Sequence, residues 1–174
     1  MDSITEDYLK CKEGDKEAVI RLYNSMRNIL LNVAFNVNGN LNDAEDIVHD
    51  VFVKVIQEED EEKVKNAKLY LIRMTRNRAI DYLRKRKKEF DIDKSEVIIQ
   101  ADSSEESVSF LFTNNLINRL PQPEAEIVRL RVVGELNFRE IADVLNISVA
   151  NSFRLYKKGI RQLKIIFLGQ GEEK

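Results

Sequence analysis

The sequence is poor in the residues that staple or punctuate a fold. Its 174 residues include a single cysteine, Cys11, so no intramolecular disulfide can form. A lone thiol suits a reducing compartment, and a cytoplasmic location is expected. Two prolines and six glycines are too few for the turns of an extensive β-fold, so helices are expected. No apolar run approaches the roughly 20 residues that span a bilayer. The opening MDSITEDYLK lacks the basic and apolar regions of a signal peptide, so no membrane insertion is expected. There is one histidine, His49, and no cluster of His and Cys around it, so no metal site is expected. No nucleophile–base pair or glycine-rich phosphate loop is visible. Neither catalytic residues, nor a cofactor, nor enzymatic activity is therefore expected.

What the chain does have is charge, and the charge is segregated. The net charge is only −2. Yet Lys68 to Lys88 holds nine basic residues against one acid, Asp81, and Asp43 to Glu62 holds nine acids against Lys54. Blocks of opposite sign imply two surfaces with two kinds of partner.

Apolar periodicity divides the chain into helices. Glu6 to Lys12 reads as a short helix ended by Gly14. Asp15 caps a longer one with a wide apolar stripe from Ala18 to Phe35, ended by Asn36 to Asn40. Asn42 or Asp43 caps a third, and Asn66 a fourth that runs through about Lys88. Residues 89–104 are acidic, serine-containing and aperiodic, as in a flexible linker. Helical spacing resumes from Val108 to Leu120, Pro121 stops it, and Pro123 suits the first turn of a helix ending near Gly134. The expected fold is all-α: a helical domain over 1–90, an acidic linker over 91–103, a second helical domain over 104–168, and a tail over 169–174.

The second domain closes on a helix-turn-helix, LNFREIADVLNISVANSFRLYKKGIRQLK, Leu136 to Lys164. Asn137 caps its first helix, Asn146-Ile147-Ser148 forms the turn, and Ser148 caps its second helix. The second helix shows an apolar stripe of Phe153, Tyr156, Ile160, Leu163 and Phe167, which is expected to face inward. The opposite face carries Asn151, Arg154, Lys157, Lys158, Arg161 and Lys164. This pattern places a helix in the major groove of DNA. In the first domain, Asp46, His49 and Asp50 share one helix face, which suits a protein contact. The basic fourth helix interleaves Tyr70 and Tyr82 with Arg73, Arg76, Arg84, Lys85 and Arg86, a composition fitted to single-stranded nucleic acid.

Three blocks, in this order, resemble a bacterial RNA polymerase sigma factor of the extracytoplasmic-function (ECF) group. AEDIVHDVFVKV resembles the first signature of sigma region 2. LYLIRMTRNRAIDYLRKRKK resembles its −10 segment, with Tyr70-Leu71, Arg76-Asn77, Asp81 and Arg84 in register. LPQPEAEIVRLRVVGELNFREIADVLNIS with the basic helix after it resembles region 4. The resemblance implies that Asp46, His49 and Asp50 dock on core RNA polymerase. It implies that Tyr70, Arg73, Arg76, Asn77 and Arg84 engage the −10 element, and that the loop near 57–66 captures a flipped base. It implies that Asn151, Arg154, Lys157, Lys158 and Arg161, with Phe153 by position, meet the −35 element. It further implies an anti-sigma partner, a linker that threads toward the active-site cleft, and the lack of region 3 that marks the small group. Ser152 stands where the family carries an aliphatic residue that packs the recognition helix. The alternatives are a stand-alone helix-turn-helix regulator and a helical adaptor, neither of which needs core polymerase.

Overall fold

The computed structural model describes residues 2–57, 64–89 and 115–169. They fall in two compact units, one within Met1–Ile98 and the other within Ile99–Lys174. Every regular element among them is helical, so the all-α expectation holds. The expected linker, the centre of the expected base-capture loop, the first part of the expected helix from Val108 and the end of the tail lie outside the described residues.

The first unit comprises α1 (Ser3–Lys12), α2 (Lys16–Asn38), α3 (Leu41–Gln57) and α4 (Ala67–Glu89). Helix α1 starts three residues before the expected Glu6, because Asp2 supplies a cap: its Oδ1 accepts the Thr5 N–H at 2.8 Å. Asp15 caps α2 as expected, accepting from the Glu17 and Ala18 amides. Gly39 ends α2 at φ 67°, a left-handed value that glycine adopts without a Cβ clash. The cap of α3 is Asn40 rather than Asn42 or Asp43: its Oδ1 accepts the Asp43 N–H at 3.0 Å. Asn66 caps α4 as expected, accepting from Leu69 at 2.9 Å.

Helix α2 packs against the other three. Leu22, Met26 and Leu30 of α2, Ile47 and Val51 of α3, and Leu71 and Ile72 of α4 are buried to 1 % exposure or less. Each such side chain contributes about 1.5–3 kcal/mol on burial. That core lets the charged faces of α3 and α4 remain in solvent.

The N-terminus of α4 is also held from a distance. The Thr5 hydroxyl donates to Asp2 Oδ2 at 3.0 Å and accepts the buried Ala67 N–H at 3.1 Å. Tyr8 packs edge-on against Tyr70, with ring centroids 5.9 Å apart. Thr75 is equally buried, but its hydroxyl finds no hydrogen-bond partner among the described residues.

The second unit comprises a helical turn at 115–117, then α5 (Gln122–Val132), α6 (Phe138–Leu145) and α7 (Val149–Gly169). Pro123 sits in the first turn of α5, as expected. Gly134 is not the left-handed residue that follows α5. That role falls to Glu135 at φ 54°, while a Cβ on Gly134 would lie 2.7 Å from the Leu130 carbonyl oxygen. Ile117, Leu120, Ala125 and Val128 form a cluster against which Tyr156, Ile160, Leu163 and Ile166 of α7 pack.

Threonine-to-valine substitution should act with opposite sign at the two buried threonines. Thr5→Val strands the buried Ala67 amide and is expected to cost about 1–3 kcal/mol. Thr75→Val removes an unpaired hydroxyl and is expected to be neutral or stabilising. Urea denaturation of the two variants checks the pair.

Candidate nucleic-acid and protein interfaces

On α3, residues 100° apart per step place Asp46, His49 and Asp50 on one exposed face, opposite the buried Ala44, Ile47, Val48 and Val51. Asp46 and His49 line a groove of about 340 Å³ together with Glu45, Val48 and the α2 residues Tyr23, Arg27 and Leu31. Arg27 NH2 lies 3.3 Å from Glu45 Oε1 across that groove. Asp50 lies at the edge of that face nearer α4, where Arg78 NH2 is 3.3 Å from its Oδ2. Helical spacing thus groups three residues that the structure divides between two neighbours.

Asp43, on sequence only a candidate helix cap, ties α3 to two side chains of α4. Arg86 NH1 lies 2.6 Å from its Oδ2, and the Tyr82 hydroxyl donates to its Oδ1 at 3.1 Å. Desolvation, then the Asp43 charge, raises the Tyr82 pKa, so its proton stays in place for that bond. Arg78, Tyr82 and Arg86 thus turn toward the acidic helix.

Five other polar residues of α4 form a separate face. Tyr70, Arg73, Arg76, Asn77 and Arg84 fall within about 120° around the helix, opposite the buried Leu71, Ile72, Thr75 and Ala79. Tyr70, Arg73 and Arg76 are half-buried, and Asn77 and Arg84 are exposed. Arg84 NH1 lies 3.6 Å from Asp81 Oδ1, an exposed pair worth little.

In the second unit the caps lie where the sequence put them, and one is stronger than expected. Asn137 and Glu140 form a reciprocal capping box at the start of α6. Asn146 makes the turn at φ 53°, and Ser148 Oγ accepts the Asn151 N–H at 3.1 Å to start α7.

The rotation of α7 differs from expectation. Phe153 does not face inward: it is 47 % exposed, and Phe167 is 67 % exposed. The inward position belongs to Ser152, fully buried, whose single hydroxyl proton is shared between Val149 O at 2.7 Å and Phe138 O at 3.2 Å. Two turns further on, a Cβ on Gly159 would lie 2.9 Å from Val128 Cγ2 and 3.3 Å from Glu124 Cβ. Small residues thus mark where α7 meets its neighbours, and hydrophobic periodicity does not register small residues. A glycine inside a helix, at a cost of about 1 kcal/mol, was the available signal.

Arg154, Lys157 and Arg161 are exposed on α7. Asn151 Oδ1 accepts from Arg154 NH2 at 2.7 Å and from its Nε at 3.2 Å, so the guanidinium is oriented by the preceding turn. Lys158 differs from its neighbours. Its Nζ lies 2.5 Å from Glu124 Oε1, and while its own side chain is 52 % exposed, that of Glu124 is 3 % exposed. Arg129, which no sequence pattern singles out, is 2 % exposed and donates to Asn118 Oδ1 at 2.6 Å. Burial lowers its pKa to about 10, still high enough to hold the charge at neutral pH.

Among the described residues no helix is long and apolar enough to cross a membrane. None of their His, Cys, Asp and Glu side chains group in threes as a metal ion would need.

Comparison with known proteins agrees with this architecture. The family model for Sigma-70 region 2 matches residues 22–89, and that for Sigma-70, region 4 matches residues 114–163. The ECF RNA polymerase sigma factor SigW of Bacillus subtilis (strain 168) is 25 % identical over 154 residues, covering 79 % of this chain and 82 % of SigW. SigM of the same organism is 29 % identical over 133 residues, covering 71 % and 79 %. In fold, the chain is similar to CnrH, solved in complex with the cytosolic domain of CnrY, at a TM-score of 0.67 and 16 % identity over 97 % of this chain and 99 % of that one. It is also similar to RpoE of Bartonella quintana, solved with the anti-sigma factor NepR, at 0.56 and 17 % over 88 % and 99 %. The chain belongs to the sigma-70 family of RNA polymerase sigma factors, in its ECF group. Members of this family are non-catalytic transcription initiation factors.

The Glu124–Lys158 pair gives a pH-dependent prediction. The Lys158 hydrogen bond holds the Glu124 carboxyl below its ordinary range, near 4.3 when unperturbed. The stabilisation is complete above that value and lost as pH falls through the depressed pKa. Lys158→Met is expected to cost about 1–3 kcal/mol at neutral pH, less than a fully buried pair because the lysine is half in water. Thermal melts against pH should show the difference from the unsubstituted protein narrowing as the pH falls below the ordinary carboxylate range.

Proposed function

We propose that the chain is a promoter-specificity subunit that binds core RNA polymerase, reads a −35 and a −10 element, and helps open the DNA for initiation. The observation that carries this reading is the division of outward faces within the two matched regions. The α3 face is acidic, the α4 face is basic with aromatic and amide side chains, and the α7 face is basic behind a helix-turn-helix.

Asp46, His49 and Asp50 would meet polymerase, where an acidic patch steers association with a basic partner. The groove beside Asp46 and His49 supplies a concave element for such a contact. Tyr70, Arg73, Arg76, Asn77 and Arg84 would hold the −10 strand. Opening duplex costs about 1.4 kcal/mol per base-pair step, and each base stacked on a side chain returns about 1–3 kcal/mol. A few captured bases therefore offset several opened steps. Asn151, Arg154, Lys157, Lys158 and Arg161 would approach the −35 duplex, with Lys158 contributing its half-exposed charge while paired to Glu124.

An anti-sigma protein is the further proposed partner. RpoE, the fold neighbour from Bartonella quintana, was solved with one. Among the described residues of the second unit, Val132, Phe167 and Leu168 border an open apolar groove of about 620 Å³ floored by Ile117, Val128 and Leu163. Exposed apolar area of this kind marks a protein-binding surface.

Run-off transcription with purified core enzyme on a genomic promoter library tests the reading. Core plus this chain is expected to start discrete transcripts that core alone does not. Asp46→Lys should weaken core binding at least tenfold while leaving the fold intact. Replacing Arg154, Lys157 and Arg161 together by Gln should lower the salt slope of −35 binding by about 0.9 for each phosphate that is no longer neutralised. A stand-alone regulator would bind duplex DNA, show no affinity for core and be indifferent to Asp46→Lys.

A further inference from the structure

The leading end of α7 carries an apolar surface that the basic face does not account for. Val149 is 46 % exposed, Ala150 is exposed, and Phe153 is 47 % exposed. Positions i, i+1 and i+4 of a helix lie on one side, so these three form a single patch at the end nearest the turn. The patch is not loosely held. The Phe153 ring stands edge-on to Phe138 at 5.2 Å and 88°, and Phe138 is itself packed against Tyr156 at 5.4 Å. Lys157 Nζ lies 5.2 Å from the centroid of the Phe153 ring. Arg154, beside it, is oriented by Asn151.

A half-exposed phenylalanine ring held rigidly beside two other apolar side chains offers a ligand apolar area to bury. The surrounding cations define what that ligand is, since Arg154, Lys157 and Arg161 would repel a basic surface and attract a polyanion. In a helix-turn-helix the first residues of the second helix are those that reach the base edges. The major groove offers one apolar group at those edges, the thymine C5 methyl, and alanine and phenylalanine side chains are suited to contact it.

We propose that Phe153, with Val149 and Ala150, forms an apolar reading tip that selects thymine methyl groups in the −35 element. This inference rests on the −35 reading proposed above. Phe153 acts as a specificity-determining residue, and the cations around it supply sequence-independent attraction to phosphates. The tip tells thymine from cytosine and from uracil, which the charges alone cannot do.

The test uses the full chain bound to core polymerase. A promoter library with a randomised −35 segment is selected for binding, and each thymine of the recovered segment is then replaced singly by deoxyuridine, which deletes the methyl alone. Burial of one methyl is worth about fourfold in affinity. Replacement is expected to weaken binding by about that factor at one or two thymines. Phe153→Ala should bind the parent duplex more weakly and should no longer distinguish thymine from deoxyuridine at those positions. Phe153→Leu, which keeps an apolar side chain, should retain the distinction. Binding unchanged at every thymine, or discrimination that survives in Phe153→Ala, overturns the proposal while leaving the −35 reading standing. Selection of no −35 sequence at all overturns both.

Discussion

The close approach of α7 to α5 and α6 fixes what the second unit shows to solvent. Ser152 and Gly159 stand at the contact points: the buried Ser152 hydroxyl lies 2.7 Å from Val149 O and 3.2 Å from Phe138 O, and a Cβ on Gly159 would meet Val128 at 2.9 Å. A helix turns 100° per residue. Burying Ser152 therefore carries Phe153 from the core to the edge of the outward face. The Glu124–Lys158 pair locks the same crossing from the other side. The identity of the residues available to DNA is thus a consequence of packing, not of the charge pattern alone.

The first unit reaches a comparable result by electrostatics laid over a core. Asp43 and Asp50 face Arg86 and Arg78, whereas Asp46 and His49 border a groove shared with α2. The exposed Arg78–Asp50 pair is worth about 0–1 kcal/mol and orients side chains more than it holds the fold, whereas the Asp43 side chain is only 16 % exposed beside Arg86. Their effect is to draw Arg78 and Arg86 toward α3 and to leave a distinct face of α4 with Tyr70, Asn77 and Arg84. Thr5 and Tyr8 of α1 set the start of that helix, where Tyr70 lies. One bundle can thereby present an acidic and a basic surface without either neutralising the other completely.

Much of this was legible in the sequence wherever the cause is local. The caps Asp15, Asn66, Asn137 and Ser148 are each read from a side chain that bonds an amide two or three residues on. In the run Asn36 to Asp43 several residues are competent to cap, and the choice of Asn40 depends on where α2 ends. The contacts that were not legible are non-local or involve small residues. Thr5 caps an amide 62 residues away. Arg129 looks like a surface residue of a charged helix and is nearly fully buried. The apolar stripe assigned Phe153 inward because size and hydrophobicity set the pattern, whereas the backbone approach at Ser152 and Gly159 sets the rotation. On α3, helical spacing put Asp46, His49 and Asp50 together correctly, but only the neighbouring helices reveal that Asp50 and Asp46 face different surroundings.

The account turns on the outward setting of α7 at promoter DNA, and photo-crosslinking reads it directly. A photoreactive residue is placed at 153 or at 155, about 200° apart around the helix, in the complex of this chain with core polymerase and promoter. The position at 153 is expected to label the −35 duplex and the position at 155 to label protein or solvent only. Labelling of the duplex from 155 and not from 153, or from neither, would contradict the account.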